Sequence, residues 1–134
     1  MPHEQQIQLV LLDDDPGVLR ALGLLLKAMQ YSVTTFSSPV EALGYLRQTP
    51  DTIDVVLTDL RMPELSGAQV VSEIKRSRSD LPVIVMSGHA SAADMQDLKS
   101  KGADGFIPKP FTPEQIATAV NGVVRLRRKS VGFA

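Results

Sequence analysis

Short apolar runs alternate along this chain with longer segments of helical period. The runs cover residues 7–12, 32–36, 53–58, 83–87 and 105–108. Four of them are almost entirely apolar, which is typical of strands covered on both faces, whereas the more polar second run suits a sheet edge. The alternation predicts consecutive βαβ units, and therefore an α/β fold in which five parallel strands are joined by five helices.

Most helix starts are marked by a hydroxyl residue that is followed three positions later by an acid or an amide. In the first helix, Asp15 is the expected N-cap because Pro16 takes the first helical position. The capping boxes begin at Ser38, Ser66 and Thr112, with a looser version at Ser91. Ten elements therefore fit the chain with short connections.

The size and composition of the chain favour one folded domain over residues 1–134. A chain of 134 residues buries one continuous core, which we expect over about residues 7–125. Residues 126–134 are expected to form a basic tail or a truncated linker. A hydrophobic share of 43% and a formal net charge of −1 argue against a disordered chain.

Several kinds of protein are disfavoured by the composition. The chain has no cysteine, which excludes disulfides and thiolate metal sites. No apolar run approaches the roughly 20 residues that span a bilayer, and the first residues do not resemble a secretory signal. The cations of residues 125–129 are placed favourably at a helix carboxyl terminus, which we prefer to a nucleic-acid patch. We expect a cytoplasmic domain that binds neither nucleic acid nor membrane directly.

Acids, a hydroxyl and a lysine follow the ends of four apolar runs. Asp13 and Asp14 follow the first run, Asp59 the third, and Lys109 the fifth, while Ser87 ends the fourth. In an open α/β sheet these positions meet at the carboxyl edge, where ligands bind. Each residue alone has an ordinary explanation as a cap, a turn residue or a surface cation. Together they predict a site, since crowded carboxylates repel unless a cation lies among them.

This set of residues suits phosphoryl transfer. Carboxylate oxygens without cysteine or clustered histidine favour Mg²⁺, which leaves coordination positions for phosphate oxygens. With a metal bound, Asp59 remains ionised and acts as a nucleophile toward phosphorus. Lys109 supplies a second cation and Ser87 a hydrogen bond, as phosphoryl transfer requires. No other cofactor is expected.

Four sequence blocks lie at these strand ends. They are Leu11-Leu12-Asp13-Asp14-Asp15, Thr58-Asp59-Leu60-Arg61-Met62-Pro63, Val85-Met86-Ser87-Gly88-His89 and Ile107-Pro108-Lys109-Pro110-Phe111. In this order and spacing they resemble the response-regulator receiver family, from about Gln8 to the helix that begins at Thr112. The resemblance implies a flavodoxin-like receiver fold, a doubly wound sheet with the strand order 2-1-3-4-5.

The resemblance also implies roles for the acids. Asp59 is the expected phospho-acceptor, and Asp13 and Asp14 are expected to help bind Mg²⁺. Asp59 itself and the backbone carbonyl of Arg61 complete the expected metal ligands. The phosphoryl group would come from a phosphohistidine of a sensor histidine kinase or a phosphotransfer protein. The domain is then a phospho-acceptor that catalyses its own phosphorylation and dephosphorylation, and not an enzyme in the usual sense.

Other positions are implied to serve switching. Ser87 is the expected switch hydroxyl, and Lys109 is the family's invariant lysine, usually followed by a cis peptide bond. Phe106 takes the position of the switching aromatic, where many members have Tyr; a permanently buried core residue is the alternative. Arg61 and His89 are expected to tune the phosphoryl lifetime, although His89 alternatively is a solvated loop residue. The surface of the fourth helix, fifth strand and fifth helix is the expected face for an output domain, a partner or a homodimer.

Three other functions were weighed against this one. A pseudo-receiver that binds proteins without phosphorylation usually loses an acid, the hydroxyl or the lysine, and this chain keeps them all. A phosphatase with an Asp nucleophile commonly has a second Asp two residues later, where this chain has Arg61. A flavin site lacks its phosphate loop after the first strand. The cognate kinase, the output, and whether the domain stands alone or belongs to a longer regulator or hybrid kinase stay open.

Overall fold

A computed structural model describes residues 6–48 and 52–132 as one five-stranded sheet with five helices. All strands are parallel and their order is β2-β1-β3-β4-β5, which confirms the predicted fold and strand order. In chain order the elements are β1 (Gln8–Leu12), α1 (Pro16–Ala28), β2 (Ser32–Phe36), α2 (Pro39–Gln48), β3 (Val55–Asp59), α3 (Gly67–Ser77), β4 (Val83–Ser87), α4 (Ala92–Lys101), β5 (Gly105–Pro108) and α5 (Pro113–Gly132).

The strand order reverses between β1 and β3. The chain moves from β1 outward to β2 and then crosses back to β3, which pairs with β1 through Leu9 and Val55. A crevice forms beyond the carboxyl ends of the two strands at such a reversal. Asp13 follows β1 directly and Asp59 ends β3, so the predicted acceptor and its acidic neighbour flank this crevice.

Two apolar cores cover the two faces of the sheet. Alternate residues of β1 point to opposite faces, so Leu9 and Leu11 join one core while Val10 and Leu12 join the other. The first core is closed by α1 and α5, and the second by α2, α3 and α4. The near-continuous apolar runs of the central strands therefore result from burial on both sides.

The helix starts agree with the capping pattern in the sequence. Complete capping boxes fix the first turns of α3, α4 and α5, at Ser66, Ser91 and Thr112. The box that seemed looser in sequence, at Ser91, has both of its hydrogen bonds. At α2 the Ser38 hydroxyl accepts from the Glu41 amide at 3.2 Å. These caps aim the helix amino termini at the carboxyl edge of the sheet.

The predicted strand limits shift slightly in two places. β1 begins at Gln8, one residue later than expected, and β3 runs from Val55 to Asp59 instead of over residues 53–58. Ile53 is buried, but its carbonyl accepts a hydrogen bond from Arg127 Nη1 at 3.1 Å. Apolar character thus marked burial correctly at this position without marking strand pairing.

The last helix extends beyond the predicted core. α5 continues to Gly132, so residues 126–132 of the expected tail are helical. The Arg127 side chain is 9% exposed and lies 3.3 Å from Asp80 Oδ2 and 3.6 Å from Asp54 Oδ1, while Arg128 lies 3.5 Å from Asp54 Oδ2. These cations thus contact carboxylates at the amino edge of the sheet. Across residues 6–48 and 52–132, no helix combines the length and apolarity needed to cross a membrane.

Candidate phosphoacceptor site

Three carboxylates meet at the crevice between β1 and β3. Asp13, Asp14 and Asp59 each offer one oxygen, and these oxygens lie within 4.8 Å of one another. Asp13 is only 1% exposed, and burial raises its pKa, with repulsion from Asp59 and Asp14 adding to the effect. The Asp15 amide donates to Asp13 Oδ1 at 2.9 Å and, together with nearby Lys109, opposes that rise. The structure therefore brings the three predicted acids together.

Lys109 is the cation of this cluster. Its Nζ lies 3.5 Å from Asp59 Oδ1 and 3.6 Å from Asp13 Oδ2. The Lys109 amide donates to the Ser87 carbonyl at 2.9 Å, and the Lys109–Pro110 peptide bond is cis, as the resemblance implied. One ammonium group facing three carboxylates leaves the cluster with a negative balance.

The cluster fits a hard divalent cation. Asp13 Oδ2 is buried without a hydrogen-bond partner among the described residues, although Asp13 Oδ1 is satisfied. A buried carboxylate oxygen without a partner is costly, and a metal ion would satisfy it. The oxygen donors of Asp13, Asp14 and Asp59 match the ligands that Mg²⁺ prefers. Whether the Arg61 carbonyl joins them stays a prediction.

The backbone of the acceptor is held tightly from several sides. The Leu60 amide donates to Asp59 Oδ1 and to the Met86 carbonyl, both at 3.0 Å. The buried Thr58 hydroxyl donates to the Asp59 carbonyl at 3.0 Å. The Gly67 amide, at the start of α3, donates to the Leu60 carbonyl at 2.7 Å. These bonds fix the direction in which the Asp59 carboxylate leaves the sheet.

Gly67 contributes to the site in a way that sequence reasoning missed. A Cβ atom added at this position would lie 2.4 Å from the Asp59 carbonyl oxygen and 2.8 Å from Leu60 Cα. Only a residue without a side chain allows the helix start to approach the acceptor so closely. The signal in the sequence was a glycine directly after the Ser66 cap.

The Ser87 hydroxyl is bonded within its own loop. Ser87 is 4% exposed; its Oγ donates to the His89 carbonyl at 3.0 Å and accepts from the His89 amide at 3.2 Å. His89 itself is exposed. The hydroxyl is therefore buried at the predicted position, at the end of β4, next to β3 and β5.

Arg61 points across the loops to the start of α4. Its Nη2 donates to Asp94 Oδ2 at 2.8 Å and to the His89 carbonyl at 3.3 Å. The Ser91 amide and the Arg61 guanidinium both donate to the Asp94 carboxylate and lower its pKa. Asp94 was not singled out from the sequence as a site residue. Its position, an acid in the first turn of the helix after the switch loop, was the available signal.

Phe106 is half-buried on β5. It packs against the core under α2, α3 and α4, and it lines a groove of about 490 Å³ together with Met95 and Leu98 of α4. On its other side it lines a second groove beside α5. Phe106 thus lies between the two helices of the expected partner face.

A doubly wound α/β domain with three acids, a lysine and a buried hydroxyl at its carboxyl edge defines the class of phospho-accepting signalling domains. The family model described as the response regulator receiver domain matches residues 9–121, and the chain belongs to this family. It is therefore a receiver domain of the kind that accepts phosphoryl groups in two-component systems.

Similar proteins include both regulators and a kinase. The transcriptional regulatory protein GlrR of Escherichia coli is 37% identical over 84% of this chain, and the sensor kinase CckA of Brucella abortus is 35% identical over 83%. The matched regions make up 25% of GlrR and 12% of CckA. The chain thus spans a small part of each of these relatives.

Two solved structures illustrate the likeness in fold. A receiver domain protein from Clostridium thermocellum is 30% identical, with a TM-score of 0.87, and covers 91% of this chain and 97% of its own. The beryllofluoride-activated NtrC4 receiver domain dimer is 25% identical, with a TM-score of 0.82, and covers 90% of this chain and 98% of its own.

Proposed function

We propose that Asp59 accepts a phosphoryl group from a phosphohistidine of a sensor histidine kinase or a phosphotransfer protein, in a reaction that depends on Mg²⁺. The observation that carries the proposal is the position of Lys109 Nζ, 3.5 Å from Asp59 and 3.6 Å from Asp13, within a cluster of three carboxylates. A cation in this position neutralises the oxygens of an incoming phosphoryl group.

The residues of the site divide the work of the transfer. Asp59 Oδ1 accepts from the Leu60 amide and faces Lys109, so we assign the attack on phosphorus to Asp59 Oδ2. The new P–O bond forms as the P–N bond breaks, and the electron pair stays on the imidazole nitrogen. Lys109 holds a phosphoryl oxygen, and the Ser87 hydroxyl donates to another after turning from the His89 carbonyl.

The metal would be held by Asp13, Asp14 and Asp59. When bound, Mg²⁺ supplies positive charge that offsets the repulsion between the carboxylates and the phosphoryl oxygens. Asp13 is preorganised for this role, because the Asp15 amide fixes one of its oxygens while the other stays without a hydrogen-bond partner. The Arg61 carbonyl is proposed as an additional ligand.

Intact mass after incubation with acetyl phosphate tests the acceptor. Wild-type protein with Mg²⁺ is expected to gain the mass of one phosphoryl group, and Asp59→Asn or removal of the metal with a chelator is expected to abolish the gain. Asp97→Asn is the matched control, since Asp97 is an exposed acid on α4 that pairs with Lys101. Hydroxylamine, which cleaves acyl phosphates, should remove the adduct.

The possible results separate the candidate functions. An adduct that persists in Asp59→Asn would place the phosphoryl group on another residue and overturn the assignment. Wild-type protein that gains no mass with acetyl phosphate, or with a cognate phosphohistidine donor, would support the pseudo-receiver instead.

We further propose that phosphorylation remodels the face formed by α4, β5 and α5. Phe106 is half-buried between grooves beside both helices, so an inward turn would change the shape of both. Its ring has no hydroxyl to bond, and the inward state would rest on burial alone. An output domain, a partner or a second copy of the chain is the proposed occupant of this face.

Light scattering coupled to size exclusion tests the homodimer. Protein treated with beryllium fluoride and Mg²⁺ should double its molar mass, and Met95→Lys, placed beside Phe106 in the groove, should prevent this. An unchanged monomer mass in the activated wild type would remove the homodimer from the proposal.

Arg61 and His89 are proposed to tune the phosphoryl lifetime. Arg61 follows the acceptor by two residues, and His89 follows Ser87 by two. Arg61→Ala and His89→Ala should change the rate at which the adduct disappears, while Asp59 still accepts phosphate. Identical decay in wild type and both variants would contradict this role. The cytoplasmic location stays a prediction.

A further inference from the structure

The Arg61 guanidinium and the Ser87 hydroxyl meet at one acceptor atom. Arg61 Nη2 donates to the His89 carbonyl at 3.3 Å, and Ser87 Oγ donates to the same oxygen at 3.0 Å. The two donors are therefore at most about 6 Å apart, which is the length of the two bonds placed end to end. Because Ser87 is a proposed ligand of the phosphoryl group, Arg61 rests next to the space that the group would occupy.

The guanidinium is held in that place by an anchor on α4. Asp94 Oδ2 accepts from Arg61 Nη2 at 2.8 Å and from the Ser91 amide at 2.9 Å. The Asp94 amide in turn donates to Ser91 Oγ at 3.0 Å, which completes the capping box. Since Asp94 is fixed by the helix start, the ion pair fixes Arg61 and not the reverse.

We propose that Asp94 is a positioning residue that holds Arg61 away from the phosphoryl site until a phosphoryl group competes for the guanidinium. The proposal rests on the proposed function of Asp59. An arginine released from Asp94 would add a cation beside Lys109, where anionic phosphodonors must bind. The pair thus sets how strongly the empty site attracts such donors.

The same contact connects the site with α4. When Arg61 and Ser87 both turn to phosphoryl oxygens, the His89 carbonyl loses two donors and Asp94 loses its cation. The β4–α4 loop then retains the Ser91 capping box but not its bonds to the acceptor loop. Asp94 therefore lies on a route by which phosphorylation reaches the partner face.

Phosphorylation kinetics with acetyl phosphate test the proposal. Asp94→Asn keeps an oxygen for the Ser91 amide but removes the charge that pairs with Arg61. It should lower the half-saturating concentration of acetyl phosphate by about two- to fivefold, as expected for a pair of partly exposed ions. The maximal rate should change less, and the effect should shrink at high salt.

Two further variants show whether Arg61 carries the effect. Arg61→Ala should itself raise the half-saturating concentration, and adding Asp94→Asn in that background should change nothing more. Asp97→Asn, which removes an equal charge from the same helix, should behave as wild type. The dependence on Arg61 is a readout that a merely structural role of Asp94 would not produce.

The outcomes are distinguishable from failure of the proposed function. Equal effects of Asp94→Asn with and without Arg61 would mean that Asp94 acts as a remote charge, and would overturn the proposal. An unchanged half-saturating concentration in Asp94→Asn, while wild type accepts phosphate normally, would overturn it as well. A wild-type protein that never gains a phosphoryl group would instead refute the proposed function, and this proposal with it.

Discussion

Replacing Gly67 with alanine tests whether the acceptor backbone and the start of α3 are as closely packed as the structure indicates. The added Cβ would lie 2.4 Å from the Asp59 carbonyl oxygen and 2.8 Å from Leu60 Cα, well inside the 3.0 Å below which real Cβ contacts are essentially never found. Both atoms belong to the backbone, so no side-chain rotation relieves the contact. Either α3 or the acceptor loop must shift.

The expected cost follows from that geometry. Inserting a methyl group into a filled space destabilises a protein by about 1–3 kcal/mol. Gly44, inside α2, is the matched control because a Cβ there meets no heavy atom within 4 Å. Gly44→Ala should therefore stabilise the protein by about 0.5–1 kcal/mol through helix propensity. The two identical chemical changes should have opposite signs.

Urea unfolding measures both variants. The free energy of unfolding should fall in Gly67→Ala and rise in Gly44→Ala, with unchanged m-values that confirm comparable unfolded states. A Gly67→Ala protein as stable as wild type would show that the backbone moves aside at no cost, and would refute the packing argument. Loss of stability in both variants would show that the control helix is not open at Gly44.

Three other changes have defined outcomes. Lys109→Met should slow phosphorylation by acetyl phosphate by about 100-fold, because the cation beside the acceptor is lost; a change below about threefold by intact mass would contradict this. Arg127→Ala should cost about 1.5–3 kcal/mol in urea unfolding, since its buried guanidinium bonds a carbonyl and carboxylates, whereas exposed Arg125→Ala should stay within about 0.5 kcal/mol. Burial raises the pKa of Tyr31 above 10.0, so the folded state holds this proton more tightly than the unfolded chain does. That stability is complete below pH 10.0 and is lost as the pH rises through the raised value; Tyr31→Phe should lose less stability than wild type between pH 8 and 11, and equal losses would contradict it.

The sequence predicted most of the architecture because its local signals agree with the tertiary structure. Apolar runs marked strands that are buried on both faces, and capping boxes marked helix starts such as those at Ser66 and Ser91. The acids and Lys109 were placed in one cluster because the ends of parallel strands meet at one edge. These inferences need only periodicity and topology.

Other features depend on contacts between segments that are distant in the sequence. The role of Gly67 follows from a distance to Asp59 that no local pattern encodes. The pairing of Arg61 with Asp94 joins two loops separated by 33 positions, and single-sequence reasoning offers no means of choosing among exposed acids. Ile53 was included in a strand because burial and strand pairing have the same signature in sequence.

The two edges of the sheet differ in how their acids are compensated. At the amino edge, Asp104 lies 2.7 Å from Lys75, and Asp54 and Asp80 both contact Arg127. At the carboxyl edge, crowded acids retain a negative balance that works against folding. A mutation that neutralises one of those acids would relieve repulsion and leave the fold intact or firmer. Folding therefore does not protect the site from mutation, and only selection for phosphoryl transfer keeps its acids in such a lineage.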